Sequence, residues 1–377
     1  MRIGVPTEIK QDEYRVALTP AGARELLAAG HEVVVQAGAG KGSAISDAAY
    51  AAQGATIVPG AEAVFTASET IVKVKEPQPA EVAMLEPRHT LFTYLHLAPD
   101  PDLTQGLLDS GSSCIAYETI TDPAGRLPLL APMSEVAGRL AGQSGAFMLG
   151  KPVGGRGVLL GGVPGVAAAR VMVIGGGVVG YNAARVAAGL GAEVYLYDRS
   201  LDRLRELDAL VGANVHTCYA SSLEIEDRLP EVDMVIGAVL VQGARAPHVL
   251  RREHLAAMKP GAVLVDVAID QGGCFETSRP TTHREPTFEV EGISHYCVAN
   301  MPAAVPITST HALTNATLPY LVRLADLGLA ALAADPGFAA GLNVADGRLT
   351  NAAVAADQGR DWTEPRELLA PESSPVT

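Results

Sequence analysis

Three glycines directly follow an apolar stretch near the middle of the chain. The stretch is Val171–Ile174, and Gly175, Gly177 and Gly180 then occupy the spacing GxGxxG. In a strand–turn–helix unit the first glycine permits a tight turn, the second lets the backbone approach a phosphate, and the third lets the helix pack on the strand. The amides and positive dipole end of the following helix also favour an anion. The pattern predicts a dinucleotide pyrophosphate site, and the structural alternative is a glycine turn that only packs a helix on a sheet.

An acidic residue ends the next predicted strand, about 20 residues beyond the glycines, as the dinucleotide pattern requires. It is Asp198, which follows Glu193–Tyr197. A carboxylate at this point accepts hydrogen bonds from ribose hydroxyls and repels a 2′-phosphate, so we predict NAD rather than NADP. Arg199 argues the other way, because an arginine nearby can hold a 2′-phosphate.

Four further polar side chains follow predicted strands. Arg15, Lys75 and His96 lie in the first third of the chain, and Asp270 follows the apolar stretch Ala262–Val267 beside paired glycines. Ligands of open α/β sheets bind outside the carboxyl ends of the strands. Two cations and a histidine at such ends suit a small carboxylate and an acid–base reaction, while surface cations and a structural histidine are the alternative. For Asp270 the alternative is a capping or turn role.

The elements that must position these residues alternate between strands and helices. Apolar and valine-rich runs predict strands at Arg2–Val5, His31–Gln36, Ala55–Val58, Thr70–Val74, Thr90–Leu95, Ser113–Tyr117, Val171–Ile174, Glu193–Tyr197, Met234–Ala238 and Ala262–Val267. Strands separated by helical patterns favour parallel βαβ units. The sequence therefore predicts an α/β fold that contains two series of such units.

Helical patterns and turn signals complete this prediction. Thr19 caps a first helix, which ends at Gly30, because threonine is a good N-cap and Pro suits the first helical position. Ser134–Leu149 has helical periodicity with few charges, which predicts a buried connecting helix. A long helical stretch is predicted from about Ser309 to Ala334, with Pro319 as a possible kink. Leu342–Leu349 is predicted to form a hairpin around an Asp-Gly turn.

The composition excludes several classes of protein. Of the 377 residues 48% are hydrophobic and 19% are charged, which is not the composition of a disordered chain. A net charge of −14 argues against a nucleic-acid binder, which needs a basic face. The best apolar run, Val171–Ala184, is shorter than the ~20 residues that a membrane span needs and is interrupted by glycines. We therefore expect no membrane partner.

The N-terminus and the cysteines indicate the compartment. The first residues contain no long apolar stretch, so we expect no signal peptide. The four cysteines lie far apart without a CxxC pair, which predicts buried thiols rather than disulfides or zinc ligands; they are Cys114, Cys218, Cys274 and Cys297. A globular cytoplasmic protein is the expectation.

Taken together, these residues resemble the alanine dehydrogenase family over nearly the whole chain. The motifs that carry the resemblance are Met1–Glu8, Arg15–Pro20, Val74–Pro77, Leu95–Leu97, Ala131–Gly138, Asp266–Gly273, Cys297–Pro302 and Ala312–Ala316. The resemblance implies reversible NAD-dependent oxidative deamination of L-alanine to pyruvate and ammonium. It also implies two Rossmann-like doubly wound domains with mostly parallel sheets, joined by long helices and separated by a cleft. The substrate domain is then discontinuous, 1–130 plus 308–377, the NAD domain is 131–307, and the assembly is usually a homohexamer.

The resemblance also implies roles for individual residues. Arg15 pairs with the substrate carboxylate, and Lys75 holds that carboxylate or the developing carbonyl oxygen. His96 and Asp270 are the acid–base candidates, and which of them is the principal base stays open. Further substrate contacts are implied for Tyr94, Met133 and Asn300. The cofactor contacts implied are Ser134, Gly175, Gly177, Val178, Val179, Gly180, Asp198, Arg203, Ser221, Val239, Leu240, Val267, Ala268, Ile269, Arg279, Val298, Asn300 and Met301.

Two positions depart from the family pattern. Where many relatives have a serine near the adenine, this chain has Ala220 beside Ser221. Where some relatives have a histidine proposed to bind a metal with Glu118, this chain has Leu327. We therefore predict no metal ion.

Three other functions compete with this interpretation. A soluble NAD(H)-binding component of proton-translocating transhydrogenase would lack the amino-acid site and need a membrane partner. An opine- or lysine-forming dehydrogenase, or one for another larger amino acid, would need a roomier pocket. A non-catalytic NAD sensor would not need the polar set formed by Arg15, Lys75, His96 and Asp270, whose presence favours alanine dehydrogenase.

Overall fold

The computed structural model describes residues 1–239 and 246–369, which form two compact units. Unit 1 comprises Met1–Met133 and the segment that begins at Val305, and unit 2 comprises Ser134–Ala304. Each unit is built around one β-sheet. Within the described ranges, no helix has both the length and the apolar character needed to cross a membrane.

The strands of the described residues are numbered in chain order. They are β1 (Arg2–Val5), β2 (Glu32–Gln36), β3 (Thr56–Val58), β4 (Thr70–Val72), β5 (Thr90–Thr93), β6 (Ser113–Ala116), β7 (Arg170–Ile174), β8 (Glu193–Asp198), β9 (Val215–Tyr219), β10 (Met234–Gly237), β11 (Val263–Asp266), β12 (Thr287–Val290), β13 (Ile293–Tyr296), β14 (Leu342–Ala345) and β15 (Arg348–Leu349).

The α-helices are numbered in the same way. They are α1 (Pro20–Ala28), α2 (Asp47–Ala51), α3 (Ala61–Ala67), α4 (Pro79–Val82), α5 (Pro101–Ser110), α6 (Ala131–Met148), α7 (Val178–Gly189), α8 (Leu201–Asp208), α9 (Ser222–Arg228), α10 (Pro306–Leu327), α11 (Ala330–Ala333), α12 (Pro336–Ala339), α13 (Ala352–Gln358) and α14 (Pro365–Leu369).

The sheet of unit 1 has the strand order β15-β14-β6-β5-β4-β1-β2-β3. Strands β1 to β6 run parallel, as the alternation of strands and helices predicts. The returning chain adds β14 antiparallel to β6, and β15 folds back on β14. Asp346 and Gly347 both have positive φ in the turn between them, at 50° and 69°. The predicted hairpin is therefore confirmed, with the backbone that an Asp-Gly turn favours.

The sheet of unit 2 has the order β12-β13-β11-β10-β7-β8-β9, and all pairs are parallel except β12 with β13. Alternate residues of β7 are buried on opposite faces: Val171 and Val173 belong to one hydrophobic cluster, Met172 and Ile174 to the other. A strand covered on both faces reads as a continuous apolar run. The predicted α/β class with two Rossmann-like, mostly parallel sheets is confirmed.

Some predicted elements differ from the structure. The helical stretch predicted from about Ser309 to Ala334 is mostly helical but is divided in two, because α10 ends at Leu327, where Gly328 adopts a φ of 60°, and α11 follows separately. Pro319 is accommodated inside α10. The helix predicted from Ser134 begins at Ala131, and it is not buried throughout, because the Phe147 side chain on it is 65% exposed. The four cysteines are free thiols, as predicted, but Cys218 is only partly buried, unlike the other three.

A buried ion cluster forms around Lys73, the residue that directly follows β4 in unit 1. The ammonium group of Lys73 lies 3.0 Å from Glu8 and 2.7 Å from Glu81, and all three side chains are almost completely buried. The Glu8 carboxylate also accepts the backbone amide of Val74 at 2.6 Å. This cluster fixes the chain immediately before Lys75.

We expect Lys73→Met to lower the free energy of unfolding of unit 1 by about 3 to 5 kcal/mol, because it leaves two buried carboxylates without their shared cation. Urea denaturation followed by circular dichroism measures the change. Lys41→Met, at an exposed lysine, is the matched control and should change stability by less than about 0.5 kcal/mol. Equal stability of the two variants would contradict the prediction.

Candidate active site

The predicted glycine turn joins β7 to α7 in unit 2. Gly175 has a φ of 104°, and a Cβ there would lie 2.5 Å from the carbonyl oxygen of Ala238. A Cβ at Gly180 would overlap the carbonyl oxygen of Gly175. By contrast, a Cβ at Gly177 would meet no described atom within 4 Å. Gly175 and Gly180 are therefore required by packing, whereas Gly177, at the N-cap of α7, leaves the open approach that a pyrophosphate needs.

Asp198 and Arg203 both bind the backbone of this turn. The Asp198 carboxylate accepts the amides of Gly176 and Ser200, each at 2.8 Å. The Arg203 Nε donates to the carbonyl oxygen of Gly176 at 2.8 Å, and Nη1 pairs with Glu206. These contacts with Gly176 hold the turn from both sides. The predicted contacts of Asp198 and Arg203 with the adenosine part of a cofactor stay predictions.

Most other predicted cofactor residues follow strands at one edge of the unit 2 sheet. The strands that end at this carboxyl edge are parallel, and the residues that follow them are Val239, Val267, Ala268, Ile269, Val298, Asn300 and Met301. Val178 and Val179 begin α7, and Ser134 lies in the first turn of α6. Leu240 lies outside the described residues.

Two predicted cofactor side chains make structural contacts. The Ser221 hydroxyl caps α9 by accepting the amide of Glu224 at 3.2 Å. The guanidinium of Arg279 lies 4.2 Å above the centre of the Phe288 ring. Both therefore have a local role that is independent of any ligand.

Asp270 lies on a short 3-10 turn after β11, and its side chain is exposed. Its carboxylate accepts the backbone amide of Asn300 at 3.3 Å, so the structure brings these two predicted residues together. Asn300 itself has a φ of 57°, in the left-handed region where Asn is among the better tolerated residues.

A second aspartate, which sequence reasoning missed, organises the loop that carries Asp270. Asp266 is fully buried and accepts the amides of Ala268 at 3.0 Å and Cys274 at 2.9 Å. The Ser278 hydroxyl donates to the same carboxylate at 2.5 Å. Burial raises the pKa of Asp266 above its usual range, and these donors oppose the rise.

Arg15 lies in unit 1 and is held by a carboxylate two residues before it. Its side chain is 2% exposed, and Glu13 accepts from Nε at 2.6 Å and from Nη2 at 2.5 Å. Nη1 lies 3.0 Å from the Met133 sulfur. The backbone amide of Val16 donates to Thr310, which fixes the following residue. Arg15 is predicted to bind a substrate carboxylate. In the structure, the Nε–Nη2 edge of its guanidinium is already paired with Glu13.

Lys75 is buried just after β4, and its backbone is held at both ends. Its amide lies 3.4 Å from the Glu8 carboxylate, and its carbonyl oxygen accepts from the Thr93 hydroxyl at 2.9 Å. Burial raises the pKa of Glu8, while the Lys73 ammonium lowers it.

His96 follows β5 in an unusual backbone conformation. Its φ is 49°, and its amide donates to the Glu118 carboxylate at 2.6 Å. The imidazole stacks on the Tyr94 ring at 5.6 Å between centroids, and the Tyr94 hydroxyl donates to a backbone carbonyl at 2.6 Å.

The protonation of His96 is set by its neighbours. The surrounding protein displaces water from the imidazole, although 40% of the side-chain surface stays exposed, and the positive charges of Lys75, Lys10 and Arg15 lie close enough to repel a proton. Together these effects lower the pKa of His96 well below its ordinary value. The structure therefore brings the positive charges of Arg15 and Lys75 close to His96, and this keeps the His96 imidazole neutral.

Fold and site together define the class. The chain is an α/β protein with two Rossmann-like units, one carrying a dinucleotide-type glycine turn and the other a basic cluster around a histidine. Among the described residues, no group of three or more His, Cys, Asp or Glu side chains is arranged to hold a metal ion.

Comparison with known proteins identifies the family. Residues 4–137 match the model of the alanine dehydrogenase/PNT N-terminal domain, and residues 141–352 match that of the C-terminal domain. An alanine dehydrogenase of Halomonas elongata is 60% identical, with 98% of this chain and 100% of the relative covered. The chain belongs to the alanine dehydrogenase/PNT family, which confirms the family predicted from the motifs.

Solved structures agree with this assignment. An L-alanine dehydrogenase superposes with a TM-score of 0.92 at 50% identity, covering 95% of this chain and 99% of that one. A transhydrogenase from Sinorhizobium meliloti superposes with a TM-score of 0.79 at 23% identity, covering 94% of this chain and 100% of that one, and at this identity the likeness shows the fold alone.

The glycine turn yields a prediction that separates packing from binding. Gly177→Ala should keep the melting temperature of the wild type but weaken NADH binding at least about tenfold, because the methyl group stands where the backbone must approach a phosphate. Gly180→Ala should instead lower the melting temperature, because its methyl group overlaps the backbone.

NADH fluorescence titration and thermal melting measure the two effects. Gly189→Ala, at the end of α7, is the matched control, because a Cβ there meets no described atom within 4 Å. Wild-type NADH affinity in Gly177→Ala would rule out a pyrophosphate at this turn.

Proposed function

We propose that this chain catalyses the reversible NAD-dependent oxidative deamination of L-alanine to pyruvate and ammonium. A relative named alanine dehydrogenase, 60% identical over 98% of this chain, supports an amino-acid dehydrogenase. The observation that carries the proposal is the cluster of Arg15, Lys75 and neutral His96, because it combines cations for a small carboxylate with a base for proton transfer.

The two units receive separate tasks in this proposal. Unit 1 is the substrate domain, predicted as 1–130 plus 308–377, and unit 2 is the NAD domain, predicted as 131–307. The open approach at Gly177 and the amides at the start of α7 fit a pyrophosphate, and the Asp198 carboxylate suits a ribose without a 2′-phosphate. When bound, NAD supplies the acceptor for the Cα hydride of alanine.

Arg15 and Lys75 bind the substrate carboxylate. The Nε–Nη2 edge of Arg15 is engaged with Glu13, and Nη1 lies 3.0 Å from the Met133 sulfur. Glu13 fixes the plane of the guanidinium, which lowers the entropy lost on binding. Lys75 adds a point charge to the carboxylate or to the carbonyl oxygen that develops.

His96 and Asp270 handle the protons of the reaction. After oxidation the substrate is an iminium, and the water that attacks it must lose a proton. A neutral imidazole at His96 accepts that proton at neutral pH. Asp270 orients the substrate or shares the proton transfer, and its contact with the Asn300 amide fixes its place in the loop.

The assembly and location belong to the same proposal. The family resemblance supports a homohexamer in the cytoplasm, and Leu327, which stands where some relatives have a histidine, supports a reaction that needs no metal ion. Static light scattering and an assay in the presence of EDTA test the first and last of these statements.

The substrate assay tests the function directly. NAD reduction, followed by absorbance, should be rapid with L-alanine and slow with lysine, because the cations and imidazole suit a small carboxylate substrate, and glycine and serine are assayed beside them. His96→Ala and Asp270→Asn should each reduce turnover at least about a hundredfold. Activity with a larger amino acid but not with alanine would overturn the choice of substrate. Near-normal turnover in both variants would overturn the residue roles.

The lowered pKa of His96 predicts the pH dependence of kcat/KM for deamination, which reports the ionisation of the free enzyme. His96 must be neutral to accept a proton, and its pKa lies well below the ordinary ~6.5. The kcat/KM for alanine, divided by the fraction of alanine whose amine is neutral, should therefore hold as pH falls through 6.5, the ordinary value, and decline only as pH passes the lowered pKa. His31→Ala, at a histidine paired with Asp326, should keep this profile, whereas His96→Ala should lose the acid limb. An acid limb at the ordinary value would contradict a role for neutral His96.

A further inference from the structure

The Glu118 carboxylate lies behind the predicted base and touches its backbone. Glu118 belongs to a 3-10 turn that directly follows β6, and its side chain is 16% exposed. Its Oε1 accepts the amide of His96 at 2.6 Å and the amide of Leu95 at 3.1 Å. Burial raises the pKa of Glu118, and these amides oppose the rise.

These two amides lie where the sheet stops. The last register pair between β5 and β6 is Thr93 with Ala116, so Leu95 and His96 extend beyond the ladder. One carboxylate oxygen there takes the place of strand carbonyls as the acceptor.

The conformation of His96 also requires support. A φ of 49° is left-handed, which costs a residue with a side chain of the order of 1 to 3 kcal/mol. Contacts with neighbouring residues must stabilise such a conformation. With this backbone, the His96 imidazole stacks on the Tyr94 ring at an interplanar angle of 8°. The orientation of the imidazole therefore depends on the backbone at His96.

We propose that Glu118 is a positioning residue, which holds His96 in its left-handed conformation through the two amides and so aims the imidazole at the substrate. The shortest separation between the Glu118 carboxylate and His96 Nδ1 is 3.8 Å, beyond hydrogen-bond range. Glu118 therefore acts on His96 through hydrogen bonds to the backbone amides, and these hydrogen bonds require an acceptor oxygen at the right distance. The role rests on the proposed function, in which His96 exchanges protons with water.

Three substitutions separate acceptor geometry from charge. Glu118→Ala removes the acceptor, Glu118→Asp keeps the charge but shortens the side chain, and Glu118→Gln keeps an oxygen at the original distance. We expect Glu118→Ala and Glu118→Asp to lower kcat for alanine at least about tenfold, because small misplacements of a catalytic group are costly. Glu118→Gln should stay within about threefold of the wild type, and all three should bind NADH normally.

A double-mutant cycle with His96→Ala tests whether Glu118 acts through His96. In the His96→Ala background, Glu118→Ala should change kcat by less than about twofold, because no imidazole remains to be aimed. Asp122→Ala is the matched control, since it also removes a carboxylate that accepts two backbone amides, those of Ala124 and Arg126. It should leave kcat unchanged.

The outcomes distinguish this role from the proposed function. Wild-type kcat in Glu118→Ala, equal losses in Glu118→Gln and Glu118→Ala, or additive losses with His96→Ala would each overturn the positioning role while leaving the proposed function intact. If Glu118→Ala does not fold, the contrast between Glu118→Gln and Glu118→Asp decides. Absence of alanine turnover in the wild-type chain would overturn the proposed function and this role with it.

Discussion

Carboxylates that are fully or largely buried fix the predicted substrate-binding residues of unit 1 in place. Glu13 engages the Arg15 guanidinium directly, whereas Glu8 and Glu118 accept the backbone amides that precede or belong to Lys75 and His96. Burying a carboxylate is costly unless hydrogen bonds or a cation compensate. Each glutamate is therefore tied to one geometry, and the residue that it holds is fixed before any ligand binds.

In unit 2, too, carboxylates accept backbone amides and so order the loops at the edge of the sheet. Asp198 accepts the Gly176 amide in the glycine turn, and Asp266 accepts amides in the loop that carries Asp270. Parallel strands end at a common edge, but their loops have no ladder to order them. Acidic side chains that accept several amides supply this order, and they leave Gly177 and Asp270 accessible.

The local patterns of the sequence explain what could be predicted. The central strand of unit 2 and the turn after it could be predicted from Val171–Ile174 and the three glycines. Full burial of a strand requires a continuous apolar run, and close packing of the turn requires glycine at fixed spacing. Strands β9, β12 and β13 were missed, since polar residues interrupt them; in β13, Ser294 and His295 are buried. The end of α10 depends on the single residue Gly328.

The supporting carboxylates show why the rest was not predictable. Glu8 lies far along the chain from Val74, and Glu118 is 22 residues from His96, so only the folded sheet brings each pair together. Glu13 is the exception, because it lies two residues before Arg15 and an acidic residue so close to a buried arginine is a readable signal. Asp266, at the end of an apolar strand, resembled an ordinary turn residue.

A crystal structure of the chain with pyruvate tests the central claim that these side chains are fixed before the ligand binds. We expect the pyruvate carboxylate within about 3 Å of the Arg15 guanidinium and the Lys75 ammonium. We also expect that Arg15 stays paired with Glu13, and that His96 keeps its left-handed backbone. Pyruvate bound away from these residues, or an Arg15 that leaves Glu13 to reach it, would show that the side chains are not fixed in this way.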